Sequence, residues 1–380
     1  MIFIEKPIIT AHKNKSRLSA IIKVDNQEKE CFFEVDKSYE RYLTSEVADA
    51  FVVGLLHRAM TGGHDIVSKA PVSESVLYGL ENFFIPNLCF ADPNMHHIKI
   101  IADPIESPKS EGAVGTGLSL GIDSFDAIYE NMNSKYVNHN ITHLCLFNAG
   151  AFYSGEENFW NMIPKVQSVA TKLGLPLVIG NSNIHDIIYG DYQITHTFYS
   201  LFCVFALRKL FHIYYYASAY PLYKFSCINN ALIGNDTASY DLLTFHCLSD
   251  ENLLLYSAGS GKKTRIEKTK AIMNKKIVQE NLDVCILHKS TNCGKCIKCK
   301  RTMIQLFLLG YLNKFSKVFP VDYFYKHKQE YIKWMKRNKS KSKLERETYD
   351  YYIASKKIGV IIKKFILGQN YKNKTKNVFE

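Results

Sequence analysis

Two short stretches hold residues whose types and spacing can do chemistry. Residues 285–301, CILHKSTNCGKCIKCKR, place Cys285, Cys293, Cys296 and Cys299 in a C-x7-C-x2-C-x2-C arrangement, with Gly294 free to turn tightly. Four thiolates so close in sequence satisfy a tetrahedral Zn2+ site. With every position filled by protein, the metal stabilises the fold and keeps no open position for a reaction. An iron–sulfur cluster or a redox thiol set would draw on the same residues. The second stretch, SLGIDSF at 119–125, sets Ser119, Gly121, Asp123 and Ser124 between a small-residue strand and an apolar-periodic helix. At the carboxyl end of a strand the N–H groups of a helix start are unpaired and suit a phosphate. A serine-capped turn with no ligand uses the same residue types.

Both stretches need a sheet to hold them. From about Gly112 short apolar strands alternate with longer helical patterns, which predicts βαβ units on a parallel sheet and an α/β fold. The strands are expected at 113–119, 142–147, 175–180, 212–217 and 252–257, and the helices at 124–134, 164–173 and 195–210. Pro164 is expected in a first helical turn. Residues 301–312, RTMIQLFLLGYL, predict a helix after the cysteines. Before residue 105, RLSAIIKV (17–24) and ECFFEV (30–35) predict strands, and 45–60 predicts a helix capped by Ser45. The expected organisation is an N-terminal α+β domain (1–108), a parallel-sheet α/β domain (109–283), a zinc knuckle with its helix (284–312) and a basic helical tail (313–380).

Composition sets the outer limits. The chain has 380 residues, 47% hydrophobic and 22% charged, as expected of a globular protein rather than a fibrous or disordered one. Glu5 and Lys6 interrupt the N-terminus before a secretion signal of ordinary length forms. The apolar stretch 198–211 contains Arg208 and Lys209 and is too short to span a bilayer, so a cytoplasmic protein without membrane attachment is expected. The net charge of +12 is local: from Tyr311 to Glu380 there are 18 Lys or Arg against 6 Asp or Glu. That tail can neutralise RNA or DNA phosphates, or form a solvated helical face.

Two familiar phosphate motifs fail on spacing. Gly115, Gly117 and Gly121 miss the dinucleotide pattern, and SAGSGKKT (257–264) has Tyr256 where a Walker loop needs its first glycine and Lys263 where it needs Ser or Thr. What remains, S-x-G-x-D-S at 119–124, resembles the S-G-G-x-D-S loop of the PP-loop ATP pyrophosphatases. The resemblance implies a Rossmann-like nucleotide domain in which Ser119, Leu120, Gly121, Ile122, Asp123 and Ser124 hold the β- and γ-phosphates of ATP. Leu120 stands where the family has glycine, which is acceptable only if its N–H still points at phosphate while its side chain turns toward the core. The family's strand-end loops for adenine and ribose correspond to FNAG (147–150) and GNSN (180–183), and hence to Asn148, Gly180 and Asn181.

A four-cysteine knuckle after such a loop is similar to the 7-cyano-7-deazaguanine synthase family over about residues 112–310. The resemblance implies ATP, Mg2+ and Zn2+ as cofactors and an adenylated carboxylate attacked by a nitrogen nucleophile. The acceptor would be a small molecule, a nucleobase carboxylate, or a protein or RNA. In KKTRIEKTKAI (262–272), Arg265 and Lys268 would share a face on a helix and neutralise pyrophosphate or an adenylate, making up the expected catalytic set with Asp123 and Ser119; an exposed charged helix explains them as well. Asp241, His246 and Asp250 are candidates for substrate or Mg2+ contact, or belong to a solvated loop. Sulfur transfer to tRNA, sugar amidation and a non-catalytic nucleotide sensor are the rival functions. Substrate gating, formation of a homodimer and partner docking are all compatible with the N-terminal segment.

Overall fold

A computed structural model describes residues 1–25, 27–151, 156–188, 190–228, 236–258, 263–287 and 291–356. Part of the 257–264 stretch and the tail beyond residue 356 thus lie outside the described residues.

The chain opens with four strands, β1 (Ile2–Ile4), β2 (Ile8–His12), β3 (Lys15–Val24) and β4 (Gln27–Asp36), then helix α1 (Asp49–Gly62) and β5 (Ile66–Ser68). The short pair β6 (Val72–Ser73) and β8 (Pro104–Ile105) encloses α2 (Glu74–Gly79), α3 (Ile85–Ala91) and β7 (Ile100–Ile101). The alternating part follows: β9 (Ala113–Gly117), α4 (Ile122–Asn131), β10 (His143–Asn148), α5 (Glu156–Leu173), β11 (Leu177–Ser182), α6 (Ile184–Ile188), α7 (Tyr192–Ala206), β12 (Phe211–Tyr216), α8 (Asp241–Leu248) and β13 (Leu254–Ser257). Helices α9 (Arg265–Ile272), α10 (Lys276–Asn281), α11 (Ile297–Leu308), α12 (Val321–Lys326) and α13 (Lys328–Asn338) complete the labelled elements, and residues 343–356 are helical as well.

Eleven strands form one mixed sheet in the order β13-β12-β9-β10-β11-β4-β3-β1-β5-β7, with β2 on β3. From β13 to β11 the pairs are parallel, and the apolar runs expected of strands covered on both faces appear there within a few residues of their predicted bounds. The fold is therefore α/β with a mixed central sheet. Residue 108 is no break in that sheet, because β4 pairs antiparallel with β11, setting Val35 opposite Gly180 and Glu34 opposite Asn181. One core unites the N-terminal strands and α1 with α7, and a second packs α4, α5 and α11 on the other side.

Three helix expectations need correction. Helix α1 begins at Asp49, not after Ser45, because the Asp49 carboxylate is buried and receives the Ser73 N–H (2.8 Å) and hydroxyl (2.6 Å). Helix α5 starts eight residues early, with Pro164 inside it, and the fully buried Phe159 anchors the added turns. Helix α7 ends at Ala206, which lets Arg208 turn inward.

Arg208 is fully buried and pairs with Asp49 and with Asp250 (2.6 Å), while Ser75 and Ser107 also donate to Asp250 (2.8 and 2.6 Å). One guanidinium thus ties α1 to the loop before β13. Removing one partner of a buried pair leaves the others uncompensated and costs about 3–5 kcal/mol. Arg208→Ala is therefore expected to lower unfolding free energy by about that amount in urea titrations; an unchanged midpoint would show the network to be dispensable.

Candidate phosphate and metal sites

Strand β9 delivers the chain to the loop at 118–121. The Leu118 N–H bonds the Cys145 carbonyl of β10 (2.7 Å), and the next two residues leave the sheet. Leu120 adopts φ of +59°, a left-handed conformation rare for a branched side chain, and its side chain is fully buried. Such strain costs about 1–3 kcal/mol, while burying leucine gains about 1.5–3 kcal/mol, so the core offsets the turn. The Asp283 N–H further fixes the Leu120 carbonyl (2.9 Å). The leucine side chain therefore does not fill the mouth of the loop. Gly121 then caps α4 in extended conformation, the Ser119 hydroxyl meets that of Ser124 (3.3 Å), and Ile122 packs inward.

Asp123, in the first turn of α4, receives both cations of α9. Arg265 Nη1 pairs with its Oδ2, and Lys268 Nζ lies 3.2 Å from its Oδ1. The two cations therefore share one face of the helix, and the capping box of Thr264 and Glu267 fixes where that helix starts. Lys268 is fully buried and also donates to the Ser218 carbonyl (2.6 Å), beyond the end of β12. Burial alone would raise the Asp123 carboxyl, but Arg265 and Lys268 outweigh it and the net shift is downward. Two further cations come from the first turns of α11. Surface Lys298 shares the field of Arg265, Asp123 and Arg301. Arg301 is buried and binds Glu345 of the 343–356 helix at 2.6 Å. The Arg265 Nε is buried without a partner among the described residues. Arg265, Lys268, Lys298 and Arg301 thus gather near the N-terminus of α4, with the carboxylates of Asp123, Glu345 and Glu347 among them, the last accepting the Arg265 N–H at 3.1 Å.

The remaining expected residues fall on both sides of that loop. Asn148 and Asn181, at the ends of β10 and β11, bond each other (Nδ2 to Oδ1, 2.8 Å). Gly180 has a packing role, since a side chain there would collide with the rings of Phe33 and Phe147. Asp241 is buried beneath the hydroxyls of Thr197 and Ser218, each at 2.8 Å, and burial pushes its carboxyl up to about 6. Asp250 is held by Arg208 as described, and His246 packs against Phe83. Neither is brought to the loop by a contact in this structure.

The four knuckle cysteines converge, their sulfurs all within 4.8 Å of one another. Cys293 and Cys299 Sγ are 3.9 Å apart; a tetrahedron with Zn–S bonds of about 2.3 Å has an edge of about 3.8 Å. Backbone N–H groups of Lys295 and Cys296 point at Cys293 Sγ (3.4 and 3.2 Å), and that of Cys299 at Cys296 Sγ (3.5 Å), as thiolates require. Gly294 has φ of +69°, and a side chain there would meet Pro320 at 2.7 Å. The donor set fits Zn2+. The cluster is also joined to the 119–124 loop: Asp283 bonds Leu120 two residues before Cys285, and Cys296 caps α11, which carries Lys298 and Arg301. Those two cations hide within CIKCKR, where they read as part of the knuckle; their i, i+3 spacing, the same as that of Arg265 and Lys268, is the signal that would have found them.

Among the described residues no helix is long and apolar enough to cross a membrane. Cys296→Ser is expected to lose bound zinc by elemental analysis and to melt ~5 °C or more below wild type; full zinc content in the variant would refute the centre. Comparisons of the chain with known protein families, with curated proteins and with solved structures find no match.

Proposed function

We propose that the chain is an ATP-dependent adenylating enzyme of the PP-loop kind, similar in its chemistry to 7-cyano-7-deazaguanine synthase. The observation that carries this reading is the meeting of Arg265 and Lys268 with Asp123 at the start of α4, beside a loop whose leucine is turned into the core. Backbone N–H groups of 119–124 would take the β- and γ-phosphates. Arg265 and Lys268 would shift from Asp123 to phosphate oxygens, and a cationic, water-poor setting stabilises charge as it develops on the leaving pyrophosphate. The Asp123 carboxylate and Ser119 hydroxyl are oxygen donors of the type Mg2+ takes, and bound there the ion would neutralise phosphate charge.

The reaction has two displacements. A substrate carboxylate oxygen attacks the α-phosphorus, the bond to the bridging oxygen breaks, and pyrophosphate departs. A nitrogen nucleophile, ammonia or an amine, then attacks the acyl carbon and AMP leaves with the bonding pair, while the nitrogen loses a proton. Asp241 lies one hydrogen bond from Ser218, whose carbonyl holds Lys268, which places a buried carboxyl next to this machinery. Zinc has a structural part, since four cysteines complete its coordination.

Incubation with α-labelled ATP, ammonium and a panel of carboxylates is expected to yield AMP and pyrophosphate. Lys268→Met and Asp123→Ala are each expected to lower that rate by about 100-fold or more. Release of ADP and phosphate, or undiminished turnover in Asp123→Ala, would contradict the assignment. The Asp241 carboxyl, raised by burial, favours the folded state in its protonated form, so its contribution is full below about pH 4 and lost as pH rises through about 6. Thermal midpoints measured between those limits should fall more for wild type than for Asp241→Asn; parallel curves would remove Asp241 from the pH dependence.

A further inference from the structure

A row of polar side chains crosses the sheet at the carboxyl ends of β10 and β11 and continues into the N-terminal hairpin. Asn148 lies opposite Asn181, Asn181 opposite Glu34, and Glu34 opposite Arg17. Glu34 is 5% exposed and so cannot rely on water for its hydrogen bonds. Its Oε1 accepts from Arg17 Nε (2.9 Å) and Nη2 (2.7 Å) and pairs with His12, while its Oε2 takes Asn181 Nδ2 at 3.5 Å. Asn181 Oδ1 in turn accepts Asn148 Nδ2 at 2.8 Å.

The order of donors along this row follows from Glu34. An ionised carboxylate only accepts, whereas an amide has a donor end and an acceptor end. Asn181 must therefore turn its NH2 to Glu34 and its oxygen to Asn148. Asn148 must give its NH2 to Asn181, which leaves Asn148 Oδ1, on a residue 3% exposed at the end of β10, as the acceptor end of the row. Asn148 stands three residues past Cys145, where Leu118 leaves the sheet, or about 10 Å farther along β10. That separation suits a nucleotide whose phosphates occupy the loop and whose base or ribose reaches the next strand end.

We infer that Glu34, contributed by the N-terminal hairpin, is a positioning residue that sets the hydrogen-bond polarity of the nucleotide site, so that Asn148 selects a ligand donor: the exocyclic amine of adenine or a ribose hydroxyl. The inference rests on the nucleotide reading above. It gives the N-terminal segment a part in ligand selection that the loop and the cysteines do not reveal.

Glu34→Gln tests it with almost no change in shape. Arg17 still requires an acceptor, so the glutamine oxygen stays on Arg17 and its NH2 replaces Oε2. Asn181 must then present its oxygen to the glutamine and its NH2 to Asn148, and Asn148 turns its own NH2 outward. One substitution inverts the whole row. Calorimetric titration of the full chain with the magnesium complexes of ATP, GTP and 2′-deoxy-ATP reads the result, with the melting temperature as a check on folding. If Asn148 meets the base, the preference for ATP over GTP falls about tenfold or more in Glu34→Gln. If it meets the ribose, ATP and GTP weaken together and 2′-deoxy-ATP becomes insensitive to the substitution. Wild-type affinities for all three in Glu34→Gln would overturn the relay while leaving the nucleotide site standing; no binding of any nucleotide by wild type would overturn the nucleotide reading and the relay with it.

Discussion

Asp123 receives Arg265 and Lys268 where little water is left to screen them. Lys268 is buried, and its other bond is to the Ser218 carbonyl. An ammonium so placed needs both partners, because an unpaired buried charge costs several kcal/mol. That requirement holds α9 against the start of α4 and fixes the end of β12 beside them. At Asp123 itself two cations face one carboxylate, and Lys298 adds to the field, while Arg301 is paired with Glu345 and the Arg265 N–H with Glu347. A polyanion is the ligand such a field favours, and the helix start beneath it adds partial positive charge of its own.

The cysteine cluster and the loop at 119–124 are tied together by direct contacts. The segment leading into the knuckle is pinned by Asp283 to Leu120, and Lys165 reaches the Asp283 carboxylate at 3.0 Å. On the other side of the cysteines, Gln305 of α11 accepts from Thr269 of α9 (3.1 Å) and donates to Thr348 (2.9 Å). A knuckle held by four thiolates therefore sets the position of α11, and through it the cations that α11 carries. Zinc would act on the reaction by holding shape, at a distance from the bonds that change.

Much of this was legible in the residues. The strands from β9 to β13 read as apolar runs because both their faces are covered, and the cysteines announced themselves by spacing alone. Arg265 and Lys268 were legible as a pair by helical period, though nothing in sequence named Asp123 as their common partner. Other features depend on long-range contact. The pairing of β4 with β11 joins residues about 145 apart, and local pattern is silent on it, so the N-terminal segment read as a separate domain. The start of α1 was set by Ser73 and Arg208 rather than by the better local cap at Ser45. Leu120 is the reverse case: a residue that local rules place outside left-handed backbone is held there by a core that takes its side chain.

In the proposed function the loop from 119 to 124 and the cations of α9 together hold a triphosphate. The most direct measurement is a crystal structure of the full chain with Mg2+ and α,β-methylene-ATP, whose α–β bridge resists cleavage at the bond the enzyme would break. The expected result is β- and γ-phosphate density on the backbone N–H groups of 119–124, with Arg265 and Lys268 drawn from Asp123 onto phosphate oxygens. A nucleotide bound elsewhere, or a loop with both ion pairs to Asp123 unchanged under saturating nucleotide, would contradict it.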